Sequence, residues 1–272
     1  MKGADLPSRA PLPLLALNTP EDLKGFATGC DSDVGGRSTA KLELDTDPKR
    51  LLPGKSAVGR FWGEMRLDVQ PGKERTLRSG YAGFRSMPRP TLFGEMLHNV
   101  SYHDYLALRV RAGGDPRTWN SYFVNIQTEG GYSNDLWQHR LYFKRSDGGW
   151  EDVYFSTTAC KSSSLMRLSL VPHPDSLARS SHPSSIVIPP SVSLPFPHIH
   201  LSSQIPFDNF VRKNAGEIAR DQYKMPRNQL RTIGVSILGG NSLVAGPYEL
   251  GIDTISAVVE PGDIQEAQSE KA

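Results

Sequence analysis

The clearest strand pattern in this 272-residue chain is Tyr105-Leu106-Ala107-Leu108-Arg109-Val110-Arg111. Apolar residues alternate with small or polar ones, so one face of this stretch is expected to be buried. A Gly-Gly-Asp-Pro turn follows at residues 113–116, and residues 119–127 then alternate in the same way, with Tyr122, Val124 and Ile126 on one side. The two segments are therefore predicted to pair as a hairpin.

Similar strand patterns recur along the chain, and they are separated by turns rich in Gly, Pro, Asn and Asp. The further runs are residues 39–44, 58–69, 81–85, 137–144, 150–154, 232–238 and 248–258. Helix is indicated only as a short turn in which Thr19 is the N-cap and Pro20 the first helical residue. This pattern predicts an all-β protein with an antiparallel β-sandwich or jelly-roll fold.

The composition of the chain bears on its partners, on membrane-spanning segments and on its cellular compartment. The 31 Lys and Arg nearly balance the 29 Asp and Glu, so nothing favours a nucleic acid as partner. No apolar run approaches the 18 or so residues that a membrane-spanning helix needs. The cysteines are Cys30 and Cys160, and we expect neither a disulfide nor an oxidising compartment. The first thirty residues contain no clear presequence.

The sequence divides into four parts. Residues 1–18 are rich in Pro and Ala and are expected to form a flexible N-terminal arm, and residues 260–272 a flexible tail. Residues 19–259 are expected to form a single β-sandwich domain, which is interrupted by an insertion at 155–204. The insertion contains seven prolines and fourteen serines but four charged residues, a composition that predicts disorder.

Residues 31–38 concentrate turn formers and carboxylates directly before the first predicted strand of the domain. Carboxylates, hydroxyls and a Gly-Gly pair form a tight turn, or a cation site if their oxygens converge. The structural corner is the favoured interpretation, and an enzyme that uses the Asp31 and Asp33 carboxylates is a weaker one. The positions to mutate first are Asp33, Gly35, Gly36 and Ser38.

Sequence motifs for catalysis are missing. There is no Gly-x-Ser-x-Gly elbow, no His near Cys30, and no Gly-rich phosphate loop. The pair His198 and His200 has a spacing that a metal can use, but it lies in the insertion without other ligands. We therefore expect no enzyme activity, no cofactor and no metal.

A second candidate surface is the non-core face of the central strands. Aromatic and polar residues of this kind bind sugars or proteins, since Trp, Tyr and Arg dominate interface hot spots. The alternative is that half of the aromatic residues belong to the core. The candidates are Tyr105, Arg109, Arg111, Tyr122 or Phe123, Asn125, Trp137 and His139.

The order of six short motifs resembles the complex I intermediate-associated protein family over roughly residues 19–259, apart from the insertion. Each motif is weak alone, and the ordered set carries the likeness. The motifs are Ser32-Asp33-Val34-Gly35-Gly36-Arg37-Ser38, Gly80-Tyr81-Ala82-Gly83-Phe84-Arg85, the stretch 105–111, Trp150-Glu151-Asp152-Val153, Ile205-Pro206-Phe207 and Gly246-Pro247-Tyr248-Glu249-Leu250.

The resemblance implies a galactose-binding-like domain in a mitochondrial assembly factor for NADH:ubiquinone oxidoreductase (complex I), on the matrix side or associated with the inner membrane. It implies binding to an assembly intermediate and to other assembly factors, without catalysis. The alternative function is a β-sandwich module that binds a carbohydrate or another ligand, which is motivated by the sandwich and by Trp119, Trp137 and Trp150.

The chain departs from the family pattern at one place. Relatives run from the Trp-x-x-Val-x segment directly into Ile-Pro-Phe, whereas Tyr154 and Ile205 are separated here. Joining these two residues would restore one uninterrupted strand. Residues 155–204 are therefore either a tolerated loop or an unspliced intron, and the sequence of the transcript distinguishes the two.

Overall fold

The computed structural model describes residues 8–72, 79–130, 135–153, 205–214, 216–240 and 243–259. Its helices include α1 (Pro20–Leu23) and the 3₁₀ helices Asp31–Val34, Pro116–Ser121 and Phe207–Asn209. The strands are β1 (Leu12–Ala16), β2 (Phe26–Cys30), β3 (Lys41–Asp45), β4 (Val58–Met65), β5 (Tyr81–Ser86), β6 (Pro90–Thr91), β7 (Gly94–Glu95), β8 (Tyr105–Gly114), β9 (Tyr122–Thr128), β10 (Asp135–Arg140), β11 (Trp150–Val153), β12 (Ile205–Pro206), β13 (Val211–Asn214), β14 (Glu217–Ile218), β15 (Leu230–Leu238) and β16 (Gly246–Val258).

These strands form an antiparallel β-sandwich, as the sequence predicts. The first sheet has the order β11-β8-β16-β4-β3, with β12 also paired to β8 and β1 to β16. The second sheet has the order β14-β13-β10-β9-β15-β5-β2, and β6 and β7 form a separate hairpin. No helix in the described ranges is long and apolar enough to span a membrane.

The hydrophobic core lies between the two sheets. Leu106, Leu108 and Val110 of β8 are buried, as their alternation predicts. Aromatic rings contact each other across the sandwich: Phe61 of β4 lies 5.1 Å from Phe84 of β5, measured between ring centroids. Removing an apolar side chain of this size from water stabilises the fold by about 1.5–3 kcal/mol, so these contacts hold the sheets face to face.

The predicted hairpin between residues 105–111 and 119–127 is wrong. Strand β8 pairs with β16 and β11 in the first sheet, whereas β9 pairs with β10 and β15 in the second. The 3₁₀ helix Pro116–Ser121, capped by the Asp115 side chain, carries the chain from one sheet to the other. Both segments have one apolar face, and alternation alone does not distinguish pairing in one sheet from packing across two.

The N-terminal segment is not a flexible arm from residue 12 onward. Strand β1 pairs with β16, and Leu14, Leu15 and Leu17 are buried in the core. The leucines of this segment therefore cover one part of the hydrophobic core. The predictions for residues 1–7, for the insertion 155–204 with Cys160, His198 and His200, and for the tail 260–272 lie outside the described residues.

The corner at residues 31–38 is built around the buried carboxylate of Asp31. Its Oδ1 accepts a hydrogen bond from the Ser38 amide at 2.8 Å, and its Oδ2 accepts from the Gly80 amide at 2.5 Å and from the Ser38 hydroxyl at 3.1 Å. A Cβ on Gly36 would lie 2.2 Å from Asp31 Cγ, so the corner closes only around glycine. Both oxygens of Asp31 are occupied by the protein itself, which agrees with the favoured structural corner.

Strands β11 and β12 are two halves of one edge strand. Val153 lies opposite Leu108, and Ile205 lies opposite Leu106. The partner strand has only Ala107 between these positions, so Tyr154 alone suffices to join the halves in register. Residues 155–204, which number 50, are not needed to join the two halves of the strand.

We expect deletion of residues 155–204 to leave the sandwich intact and to raise the free energy of unfolding by about 3 kcal/mol, because closing a long loop costs chain entropy. Urea unfolding followed by circular dichroism measures the change. Deletion of 155–203 is the matched control: it leaves one extra residue, which shifts β12 by one position and turns the buried Ile205 outward. Equal stability of the two deletions, or a less stable 155–204 deletion than the full chain, would contradict the continuous register.

Substitution Asp31→Asn is expected to lower the free energy of unfolding by about 2–4 kcal/mol, because the amide nitrogen cannot accept the hydrogen bonds that one carboxylate oxygen accepts. Asp33→Asn is the control. Asp33 is exposed, and its Oδ2 accepts one bond, from the Cys30 amide at 3.3 Å, which an amide oxygen also accepts. We expect Asp33→Asn to cost less than about 1 kcal/mol. Similar losses for both variants would show that Asp31 has no special structural role.

Candidate functional site

The structure separates the residues that the sequence predicts to gather on one face. Tyr105, Arg109 and Arg111 lie on the outer face of the first sheet, whereas Phe123 and Asn125 lie on the outer face of the second. The prediction of one shared face is therefore wrong. Its physical cause is the 3₁₀ connection, which places β8 and β9 in different sheets.

Tyr122 and Trp137 belong to the core, at 0% and 1% exposure. Tyr122 points inward with Val124 and Ile126 of β9, and Trp137 lies opposite Ile126 on β10. The alternative that half of the aromatic residues belong to the core therefore describes these two correctly. His139 is half-buried, and its ring lies 5.6 Å from that of Phe210. None of these three side chains presents an open binding surface.

The arginines of β8 are engaged in ion pairs. Arg111 and Arg60 both bind Glu249 of β16, with Arg60 Nη2 donating to Oε2 at 2.6 Å and Arg111 Nη2 to Oε1 at 2.5 Å. Burial acts to raise the pKa of Glu249, but the hydrogen bonds from Arg111 and Arg60 outweigh it and lower the pKa below its ordinary value. Arg109 forms two bonds of 2.7 Å with Asp152. These contacts link four strands of the first sheet.

An open groove of about 690 Å³ lies on the outer face of the second sheet. Its floor follows from the register of the strands: Gly29, Gly83 and Ser236 lie side by side on β2, β5 and β15. Because glycine has no side chain and serine has a small one, the backbone of three neighbouring strands is open to a ligand. Ala27 of β2 and Gly234 of β15 lie two positions further along their strands, on either side of Arg85, and their small size extends the floor of the groove.

Amide and hydroxyl side chains cross the groove in two ladders. In one, Gln138 Nε2 donates to Asn125 Oδ1 at 2.8 Å, and Asn125 Nδ2 donates to Ser236 Oγ at 2.8 Å. In the other, Thr232 Oγ1 donates to Gln127 Oε1 at 2.9 Å, and Arg85 Nη1 donates to the same oxygen at 3.1 Å. The ladders hold the side chains in fixed positions, which reduces the entropy lost when a ligand binds.

Tyr81 stands at the margin of the groove with 36% of its surface exposed. Burial, followed by the carboxylates of Asp33 and Asp31, raises the pKa of Tyr81 above its ordinary value, so the phenol is protonated at neutral pH and is available as a hydrogen-bond donor. Phe123 lies farther along, and its ring is covered by the Arg140 guanidinium at 5.0 Å from the ring centroid. The groove thus offers hydrogen-bonding groups and one partly exposed aromatic ring.

This arrangement suits binding better than catalysis. Fixed donors and acceptors in an open groove match an extended ligand with regularly spaced polar groups. Within the described ranges, no cluster of three or more His, Cys, Asp and Glu side chains is placed to hold a metal ion. The Asp31 corner lies near the groove through Tyr81, but its oxygens serve the fold.

Of the predicted site residues, only Asn125 lines the groove. The sequence contained one signal for the rest: small residues occupy the outward positions of two strands, Gly83 on β5 and Gly234 and Ser236 on β15. A glycine inside a strand often marks close approach of a ligand or another backbone. Recognising the groove also required the pairing of β5 with β15, which lies far along the chain.

The match to a family model and the match to a curated relative agree on one family. The family described as "Complex I intermediate-associated protein 30 (CIA30)" matches residues 15–168, more than half of the chain. A curated relative from Neurospora crassa, "Complex I intermediate-associated protein 30, mitochondrial", is 30% identical over 254 residues, which cover 88% of this chain and 70% of the relative.

Among solved structures, an arabinose-bound MgGH51 α-L-arabinofuranosidase is similar over 93% of this chain and 27% of the enzyme, with 11% identity and a TM-score of 0.36. A likeness this weak says nothing about activity. The match over residues 15–168 and the Neurospora crassa relative show that this chain belongs to the complex I intermediate-associated protein 30 family.

Proposed function

We propose that this protein is a non-enzymatic assembly factor for mitochondrial complex I, and that it binds an assembly intermediate through protein–protein contacts. The family supports the pathway, since the Neurospora crassa relative is named a complex I intermediate-associated protein of mitochondria. The observation that supports the binding mode is the groove on the second sheet. We assign the protein to the matrix side of the inner membrane or its surface, with the intermediate and other assembly factors as partners.

The groove accepts an extended segment of a partner protein. Ser236, Gly83 and Gly29 leave room for a backbone, and Asn125 and Gln127 supply amide groups that pair with peptide N–H and C=O groups. Among the residues that line the groove, Arg85 is the one with a charged side chain. A neutral or weakly acidic segment therefore fits better than a strongly basic one.

Absence of catalysis is part of the proposal. The thiol of Cys30 is buried, and its Sγ lies 3.0 Å from Ser32 Oγ and donates to the Ser38 carbonyl at 3.3 Å. A nucleophilic cysteine needs an adjacent base that removes its proton. The described contacts of Cys30 supply none and instead support a structural role in the corner.

The alternative, a carbohydrate-binding module, has weaker support. Sugar binding to a sheet generally relies on exposed aromatic rings, but of the three tryptophans named for it one is buried and the other two are partly buried with their indole N–H groups already bonded to the protein. Trp137 is buried, Trp119 Nε1 donates to the Gly113 carbonyl, and Trp150 Nε1 donates to the Arg50 carbonyl on the first sheet. The amides of the groove are the observation that favours this alternative.

Ala27→Arg places a long side chain over the floor of the groove without removing a hydrogen bond of the ladders. We expect this variant to recover at least tenfold less of the complex I intermediate than the unmodified chain, because the arginine occupies the volume that the partner segment needs. The measurement is affinity capture of the tagged full chain from mitochondria, followed by mass spectrometry and native-gel fractionation.

Ala107→Arg is the matched control, since Ala107 is half-buried on the outer face of the opposite sheet. It should capture the intermediate as the unmodified chain does. Equal capture by the two variants would reject the groove as the binding site. Recovery of the unmodified chain only as a free monomer, with saturable binding to a glycan panel, would reject the assembly function and favour the carbohydrate module.

A further inference from the structure

The hairpin formed by β6 and β7 carries the most exposed apolar residues among those described. Leu92 and Phe93 form its tip and are 96% and 99% exposed. Met87 and Met96, at the base, are 44% and 47% exposed. The side chains of the tip make almost no contact with their own fold, so they contribute nothing to the core and gain free energy only by leaving water elsewhere.

The hairpin is built as a fixed projection. Thr91 Oγ1 donates to the Gly94 carbonyl at 2.9 Å and accepts from the Phe93 amide at 3.3 Å, and the Met96 amide donates to the Arg89 carbonyl at 2.8 Å. Gly94 has a φ of +128°, a backbone conformation that favours glycine. The amides of Phe93 and Met96 and the carbonyls of Arg89 and Gly94 are thus paired within the hairpin, which removes part of the cost of entering an apolar phase.

The charges on and below the hairpin are arranged around an apolar tip. Residues 90–94 carry no charge, and the carboxylate of Glu95 is bound by Arg231 of β15 through two hydrogen bonds, one of 2.6 Å. Arg89 is exposed beside them. Arg231 is also attracted by Glu129, so Arg89 and Arg231 against Glu95 and Glu129 leave no net charge at the base, and the exposed Arg89 is the group that complements an anionic surface.

Shape decides between a bilayer and a protein pocket. The tip is convex and consists of two side chains, an area far below the roughly 1,000 Å² that a specific protein interface buries. A bilayer needs no complementary cavity, and it accepts apolar side chains at the boundary between headgroups and acyl chains while basic residues contact the headgroups.

We propose that the β6–β7 hairpin is a membrane-docking element that inserts Leu92 and Phe93 into a lipid surface containing anionic headgroups, with Arg89 and Arg231 at the headgroup level. This inference goes beyond the proposed assembly function and does not depend on it. It assigns the protein a second contact surface, distinct from the groove, which orients the sandwich on the membrane.

The test uses the purified full-length chain and sedimentation with phosphatidylcholine vesicles, prepared with and without phosphatidylglycerol. We expect the unmodified chain to bind the anionic vesicles, and L92S/F93S to bind them at least tenfold more weakly. The control is I218S/L243S, which removes two other exposed apolar side chains, 67% and 82% exposed, from outside the hairpin. It should bind as the unmodified chain does.

Two further measurements separate insertion from adhesion. Phe93→Trp should shift its fluorescence to shorter wavelength with anionic vesicles and be quenched by brominated lipid. Arg89→Gln should weaken binding to anionic vesicles without abolishing the shift of the tryptophan variant. Because all five substituted positions are exposed, equal thermal unfolding of the variants checks that each is folded.

The proposal is overturned if the unmodified chain binds neither kind of vesicle, or if L92S/F93S binds anionic vesicles as well as the unmodified chain does. Loss of a mitochondrial protein partner in L92S/F93S, without any vesicle binding by the unmodified chain, would also overturn it and would assign the tip to a protein pocket. Ala27→Arg should leave vesicle binding unchanged, so failure of membrane docking and failure of the groove are distinguishable.

Discussion

The fold depends on one buried carboxylate. Asp31 binds the amides of Ser38 and Gly80, and so fixes the end of β2 to the start of β5. Ser38 extends the network to the first sheet, since its hydroxyl accepts from the Arg66 amide and lies at hydrogen-bonding distance from the Arg66 carbonyl. A charge removed from water is tolerated only with such complete pairing, and the pairing in turn fixes where the two sheets meet.

This constraint explains why separate short motifs occur together. Gly36 must be small because Asp31 lies against it, and Gly80 combines a φ of +81° with the amide that Asp31 binds. The same corner positions Tyr81, the next residue along, at the margin of the groove. The structural network and the candidate binding surface are therefore neighbours, and the network gives the groove a rigid boundary.

Part of the fold could be predicted from local patterns. The core residues of β8 and β9 follow from alternation and the helix start follows from the capping residue Thr19, whereas the break in the edge strand followed from the departure from the family pattern. Strand pairing could not be predicted, because Leu106 and Tyr122 are equally suited to one sheet or to two facing sheets. The groove was missed for a related reason: Gly83 and Ser236 become neighbours only through pairing between β5 and β15. The hairpin tip was missed because Leu92 and Phe93 follow no alternation.

The edge strand formed by β11 and β12 is interrupted at a position where residues can be inserted or removed. Val153 and Ile205 pair with the same strand in one register, so residues 155–204 are surplus to the pairing of this edge. The surplus is a whole number of codons, and a message with or without it encodes the same residues after Ile205. The gene can therefore lengthen or shorten at this position while the fold is conserved, and new chain termini or a reporter domain can be introduced there.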